Sequence, residues 1–314
     1  MDEENKDINT FNDPMVEHMD SAIVKTAGNS DATIVGIPYD GGIISHRRGA
    51  RFAPNYVRNM LSTYSTFCTD HRADLSKLKI RDAGNLGTTP IDKETMEKAI
   101  FSSYPSIIKS TRKLITIGGD HSITAPIIRT ISKVHKGKRI GVILFDAHHD
   151  IRDPWRTNSG SWGHEILNEF GGPIYGSNFI QIGVRGFKYS SYYNDKMARL
   201  GIRYFTSLDV FSQGIMKVLK DAINLISDNV DIIYASLDID VLDQTQGPAV
   251  SAASPGGLTS RELFYSMYEL GKNEKVRYID ITEYAPPLDI NDITGRIVSE
   301  SMLHFLCGAA PEHQ

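Results

Sequence analysis

Short runs dominated by Val, Ile, Leu, Phe and Tyr recur along the chain, at 33–37, 79–83, 114–117, 141–145, 179–184, 202–205, 231–237 and 276–281. Most are not interrupted by polar residues. A strand with one wet face alternates apolar and polar positions, so runs without alternation need cover on both faces. Parallel strands with helices above and below meet that condition. The segments between the runs carry helical periodicity. Over 259–270, Thr259 and Glu262 form a capping-box pattern and Gly271 offers a stop. Over 292–306, Ile293, Ile297, Val298, Met302 and Phe305 share one face. Alternation of this kind predicts the α/β class: a three-layer α/β/α domain with a mostly parallel sheet of about eight strands and right-handed crossovers. No repeat, low-complexity linker or composition shift marks a second domain. A single domain over 31–314 is expected, preceded by a polar, poorly packed arm over 1–30.

With 314 residues, 40% of them hydrophobic, the chain can bury a core that needs neither disulfides nor a structural metal. A formal charge of −4 argues against a nucleic-acid partner, which would call for a basic patch. The two cysteines, Cys68 and Cys307, are too few for a disulfide framework and lack the paired spacing of a thiolate zinc site. A reducing compartment fits best. The N-terminal residues lack a signal-peptide pattern, and no apolar run approaches the ~18 residues of a membrane span. A cytoplasmic protein without a membrane partner is expected.

Polar residues gather where the apolar runs stop. Gly118-Gly119-Asp120-His121, Asp146-Ala147-His148-His149-Asp150, Asp238-Ile239-Asp240 and Glu283 each follow such a run. In an open α/β sheet the carboxyl ends of strands form the ligand-binding rim, so four segments deliver acids and imidazoles to one edge. Extended chain has a period of two, which projects Asp146, His148 and Asp150 to one side, likewise Asp238 and Asp240, and turns His149 away. Carboxylates crowded in one pocket would take up protons unless cations were present. Oxygen and imidazole donors without thiolate suit Mn²⁺, with Zn²⁺, Co²⁺, Ni²⁺ or Fe²⁺ as substitutes. Six ligands exceed what one catalytic ion with an open position can use. They suit two ions about 3.5–4 Å apart that acidify a shared water, the nucleophile of a hydrolase. Each element has a plainer reading. Asp120 equally fits a cap on a helix starting near Ser122, Asp-Ile-Asp alone fits a turn, and Glu283 fits a cap after its strand. His46, His71 and His304 read as structural or surface groups.

These motifs resemble the ureohydrolases, the group of arginase, agmatinase and formimidoylglutamase. The resemblance runs from about Asp31 to the C-terminal helix and includes Gly-Gly-Asp-His-Ser at 118–122, Asp-Ala-His-His-Asp at 146–150, Ser-Leu-Asp-Ile-Asp-Val-Leu-Asp at 236–243 and Asp-Ile-Thr-Glu at 280–283. It implies an arginase-like fold and two Mn²⁺ per chain. His121, Asp146, Asp150 and Asp238 would hold one ion; Asp146, His148, Asp238 and Asp240 would hold the other, with Asp146 and Asp238 bridging. It also implies hydrolysis of an amidine or guanidine, with Glu283 set against the cationic amidinium, and a homo-oligomer such as a trimer or hexamer.

Within that group, Asp-Ala-His-His-Asp-Ile-Arg, Ile-Gly-Val-Arg-Gly-Phe at 182–187 and the loop at 243–257 look most like formimidoylglutamases, which convert N-formimido-L-glutamate to glutamate and formamide in histidine breakdown. A substrate with two carboxylates needs cations at the pocket mouth. Arg152, Arg156 and Arg185 are the candidates, Arg185 foremost. The loop Ser159-Gly-Ser-Trp-Gly-His164 places His164 one position beyond the family's histidine. His164 is a candidate proton donor to the leaving amine, and equally a polar residue at the start of a helix over 165–170. The rivals are an agmatinase or other guanidino-substrate hydrolase and, from another class, a non-catalytic metal- or metabolite-binding member.

Overall fold

The computed structural model describes residues 13–26, 28–45, 47–153 and 158–311. Its strands are β1 (Ile23–Val24), β2 (Ser30–Gly36), β3 (Phe67–Cys68), β4 (Ala73–Asp74), β5 (Ile80–Asn85), β6 (Thr111–Ile117), β7 (Ile140–Phe145), β8 (Phe179–Val184), β9 (Arg203–Thr206), β10 (Ile232–Asp238) and β11 (Val276–Thr282). Every apolar run read from the sequence is a strand here. One nine-stranded sheet has the order β1-β5-β2-β6-β11-β10-β7-β8-β9. All its pairings are parallel, as two-sided burial requires. β3 and β4 form a separate antiparallel hairpin.

Residues 19–24, within the segment 1–30 read as a poorly packed arm, are packed here and add a ninth strand. β1 pairs with β5 at the sheet edge, and Met19, in the short helix before it, is fully buried. A two-residue strand leaves no periodicity to read.

Side chains alternate along each strand and feed two cores. Phe145, Leu237 and Ile281 pack with Leu219, Met267 and Met302 under the helices Ile215–Ser227, Ser260–Lys272 and Ile293–Ala309. Leu144, Tyr234 and Tyr278 pack with Ile100, Tyr104 and Ile128 under the helices Lys93–Lys109 and Thr124–Val134. The Thr259 capping box forms, with Glu262 N donating to Oγ1 and Thr259 N donating to Oε2. Gly271 does not stop that helix, which runs to Lys272. A Cβ there would sit 2.1 Å from the Phe305 carbonyl oxygen, so this glycine lets two helices touch. The last helix buries more than one face, and Ile293 at its start is 41% exposed.

The chain passes from β6 to β7 and later fills the two positions between them with β11 and β10. The carboxyl ends of these four neighbours surround a topological switch point, where open α/β sheets bind ligands.

Candidate active site

Each acidic or imidazole motif begins where one of those four strands ends. His121 follows β6, Glu283 follows β11, Asp238 closes β10 with Asp240 in the turn after it, and Asp146, His148 and Asp150 follow β7. Glycine makes the first of these turns possible. A Cβ on Gly119 would lie 1.5 Å from the Tyr39 carbonyl oxygen, which accepts from Asp120 N at 2.8 Å. Glu283 N donates to the Gly119 oxygen at 2.9 Å, tying the ends of β6 and β11 together. Asp120 takes the cap role: its carboxylate accepts from Ser122 N at 3.0 Å and Gly42 N at 2.7 Å.

His121 is fully buried, and its Nδ1 lies 3.1 Å from Asp238 Oδ2, 3.2 Å from Asp150 Oδ2 and 3.4 Å from Asp146 Oδ2. His148 Nδ1 lies 3.0 Å from Asp240 Oδ2 and 3.4 Å from Asp146 Oδ1. The donors fall into two groups compact enough to hold an ion, His121/Asp146/Asp150/Asp238 and Asp146/His148/Asp240. They share Asp146, whose buried Oδ2 has no hydrogen-bond partner. Asp238 falls in the first group only, its Oδ1 accepting from Asp240 N at 2.9 Å. An orphaned buried carboxylate oxygen facing other carboxylates is costly, and a divalent cation removes that cost. The donor set fits such ions.

Electrostatics of the metal-free protein point the same way. Burial, then the charges of Asp150 and Asp240, push Asp146 up to about 6. Burial, then Asp240 and Asp146, raise Asp238 well above the usual carboxylate range. Burial alone would lower His121, but the carboxylates of Asp146, Asp150 and Asp238 beside its Nδ1 carry it well above its ordinary value. Burial would likewise lower His148, but Asp240 and Asp146 lift it to about 12. Protons occupy places that cations would take, so ion uptake displaces protons. A carboxyl with a raised pKa keeps its proton on the acid side of that value. The Mn²⁺ bound per chain after equilibrium dialysis is therefore expected to fall as pH drops through about 6. Occupancy constant across that range would contradict this picture.

A relay behind His121 was not read from the sequence. Its Nε2 faces Ser236 Oγ at 2.8 Å, and Ser236 donates on to Asp280 Oδ1 at 2.6 Å. Asp280 is itself fixed by Tyr234 and Thr124 hydroxyls. With the Ser236 proton committed to Asp280, Nε2 is the nitrogen that donates, so Nδ1 is the one that can give its lone pair to a cation once its own proton is displaced. The available signal was Ser236 standing two residues before Asp238 on the same side of a strand. Ser236→Ala is expected to weaken Mn²⁺ binding by about 10–100-fold, measured by metal titration. Trp162 Nε1 donates to Asp150 Oδ2 at 3.0 Å, and Ser251 Oγ donates to Glu283 Oε2 at 2.8 Å. Asp150 and Glu283 both adopt positive φ, 49° and 68°, a strain that concentrates at functional sites.

The donors open into a cavity of about 220 Å³ lined by His148, Asp150, Asp238, Asp240 and Glu283 inside, with Ser45, Arg152, Ser159, Lys188, Tyr189 and Ser251 around them. Glu283 is 2% exposed, and its Oε1 accepts from His121 N at 2.9 Å. Burial, then the charge of Asp120, push its carboxyl up to about 8. Arg152 lies over the Tyr189 ring, 4.7 Å from its centre. Lys188, a second cation of this wall, was not singled out in the sequence.

Several expectations need correction. Arg185 is not free to meet a substrate. Its guanidinium donates to the carbonyls of Asp240, Val241, Leu242, Ser254 and Pro255, clamping the loop after β10, and it does not line this cavity. A carbonyl-rich loop consumes the donors that a carboxylate would need. His164 is not placed as a proton donor either. It lies inside the helix Trp162–Ile166, stacked on Phe170 at 3.7 Å, with Nδ1 3.1 Å from Lys196 Nζ and no share in the cavity lining. The helix there ends at Ile166, and the short turn Asn168–Phe170 follows it. His149 does turn away, pairing with Gln181 Oε1 at 2.7 Å. Arg156 and His46 lie outside the described residues.

Comparison with known proteins agrees with this geometry. The Arginase family model matches residues 30–308. A formimidoylglutamase of Halalkalibacterium halodurans is 34% identical over 279 residues, covering 88% of this chain and 86% of the relative. The crystal structure of formimidoylglutamase from Bacillus subtilis superposes with a TM-score of 0.88 at 28% identity, covering 97% of this chain and 95% of that one. A Trypanosoma cruzi formiminoglutamase crystallised with Mn²⁺ superposes with a TM-score of 0.84 at 25% identity, covering 94% and 98%. With the sheet order, the clustered donors and a family match across nearly the whole chain in agreement, this protein belongs to the arginase family of hydrolases.

Proposed function

We propose that the chain is a binuclear Mn²⁺ hydrolase that cleaves N-formimido-L-glutamate to L-glutamate and formamide, with consumption of one water. The observation that carries the substrate is a cavity acidic at its floor and cationic on its wall. Glu283 lies inside, and Arg152 and Lys188 flank it. A formimidoyl amidinium is cationic at one end, and the glutamate portion carries two carboxylates at the other. The relatives named formimidoylglutamase favour the same substrate. A dication such as agmatine would meet Arg152 and Lys188 unfavourably. We read the enzyme as a cytoplasmic homo-oligomer, in keeping with its family and its two cysteines. Among the described residues no helix is long and apolar enough to cross a membrane.

His121, Asp146, Asp150 and Asp238 would hold one ion, and Asp146, His148 and Asp240 the other. When bound, the ions supply positive charge and an acidified water for attack on the amidine carbon. The rest falls to the chain. Ser236 and Asp280 hold the His121 ring in one orientation. Ser251 and His121 N hold Glu283 against rotation, so its carboxylate can align the amidinium and disperse its charge. Tyr189 lies against the Arg152 guanidinium, leaving its N–H edge to meet a substrate carboxylate.

Arg152→Ala is expected to raise KM about 10–100-fold with little change in kcat, the signature of lost substrate binding. Arg185→Ala is expected instead to lower the melting temperature, because five carbonyls of one loop lose their donor. The reaction itself is tested by product analysis of Mn²⁺-loaded protein offered N-formimido-L-glutamate, agmatine, arginine and guanidinobutyrate separately. Formamide from the first substrate alone is expected. Urea from a guanidino compound, with no formamide from the first, would overturn the substrate reading and retain the two-ion site.

A further inference from the structure

Away from the active site, both cysteines and two histidines meet. Neither cysteine has a neighbouring cysteine at metal-binding spacing, but each has a histidine: Cys68-Thr-Asp-His71 and His304-Phe-Leu-Cys307. The first pair lies on the β3–β4 hairpin and the second one turn apart on the helix Ile293–Ala309. Cys68, His71 and His304 bring ligand atoms within 4.8 Å of one another. His71 Nε2 and His304 Nδ1 are 2.9 Å apart, from residues 233 positions distant in sequence. The Cys307 thiol neighbours that of Cys68.

We propose that Cys68, His71, His304 and Cys307 bind one Zn²⁺ as a structural site that fastens the β3–β4 hairpin to the C-terminal helix. Two thiolates and two imidazoles select Zn²⁺ over the hard ions suited to the Asp/His centre. A tetrahedron with Zn–S of about 2.3 Å and Zn–N of about 2.0 Å has edges of roughly 3.3–3.8 Å. The imidazoles need to part by only a few tenths of an ångström, and Cys307 joins by turning its thiol from Cys68 toward the centre. The surroundings are built for ligands. The Cys68 thiol is pulled down to about 6, first by the neighbouring Cys307 and also by backbone amides of the β3–β4 turn, which favours thiolate. His71 stacks on Tyr268 at 3.5 Å and His304 on Phe264 at 4.7 Å, so both rings are held in place from the helix Ser260–Lys272. His304 and Cys307 are buried, at 7% and 5% exposure, while Cys68 and His71 remain half-buried and offer a way in.

The test uses the full chain with its thiols reduced. One Zn²⁺ per chain should survive dialysis and be lost in Cys307→Ser. His71→Asn, a change at a half-buried position, provides a second variant should the first fold poorly. Both variants should keep formamide release and Mn²⁺ uptake. Co²⁺ in place of Zn²⁺ should give tetrahedral d–d bands together with thiolate-to-cobalt charge transfer, and only the latter is beyond the oxygen- and imidazole-only centre. Reduced, folded protein that takes up no Zn²⁺ would overturn the proposal. So would Zn²⁺ retained undiminished by both variants, a Co²⁺ spectrum without thiolate bands, or a Cys68–Cys307 disulfide forming in the presence of stoichiometric Zn²⁺.

Discussion

Asp238→Ala is expected to lower turnover by on the order of 10³-fold or more and to strip most of the Mn²⁺, while the fold survives. Asp238 closes β10 at the centre of the sheet, and its Oδ2 is the carboxylate oxygen nearest to His121 Nδ1. No neighbour can replace it, because Asp146, Asp150 and Asp240 are each anchored by a backbone or indole donor of their own. The same residue burdens the metal-free protein. Its folded-state pKa is raised by burial and by Asp240 and Asp146, so its ionisation opposes folding. That penalty is absent below the ordinary carboxylate value of 3.8 and grows as pH rises above it. Asp238→Asn should therefore melt higher than the parent when both are stripped of metal at neutral pH, and lower when both are offered Mn²⁺. Calorimetry with and without chelator checks this, and an active, fully metallated Asp238→Ala would contradict the assignment.

Glu283→Gln is expected to lower kcat/KM by about 10²–10³-fold without changing Mn²⁺ content. The amide keeps the size of the side chain and an oxygen for His121 N, so the turn after β11 is preserved. What it removes is the negative charge that a bound amidinium draws from this raised-pKa carboxyl, inside a cavity where water screens little. Metal analysis and steady-state kinetics on one preparation separate this effect from that of Asp238→Ala. Loss of metal from Glu283→Gln would mean that the carboxylate serves the ions rather than the substrate.

The sheet and the donor cluster were legible in the sequence for the same reason. Strands covered on both faces write themselves as unbroken apolar runs, and a rim of strand ends writes itself as charged residues directly after them. The exceptions follow from what local pattern cannot encode. β1 was missed because two residues carry no period, and Gly271 was misread because its partner, Phe305, is remote in sequence. Arg185 stands after a strand as a substrate ligand would, yet only the folded path of residues 240–255 shows its donors consumed by carbonyls. Lys188 looked like any surface lysine until the cavity wall formed beside Tyr189. The Cys/His cluster was hidden most deeply, since its two halves lie on a small hairpin and a terminal helix that meet only in three dimensions.

The most direct test is a titration of chelator-stripped protein with Mn²⁺, following formamide release from N-formimido-L-glutamate. The account predicts no release from the stripped protein, and activity that rises to a plateau at two Mn²⁺ per chain. Full activity without added metal, or no formamide at saturating Mn²⁺, would contradict it.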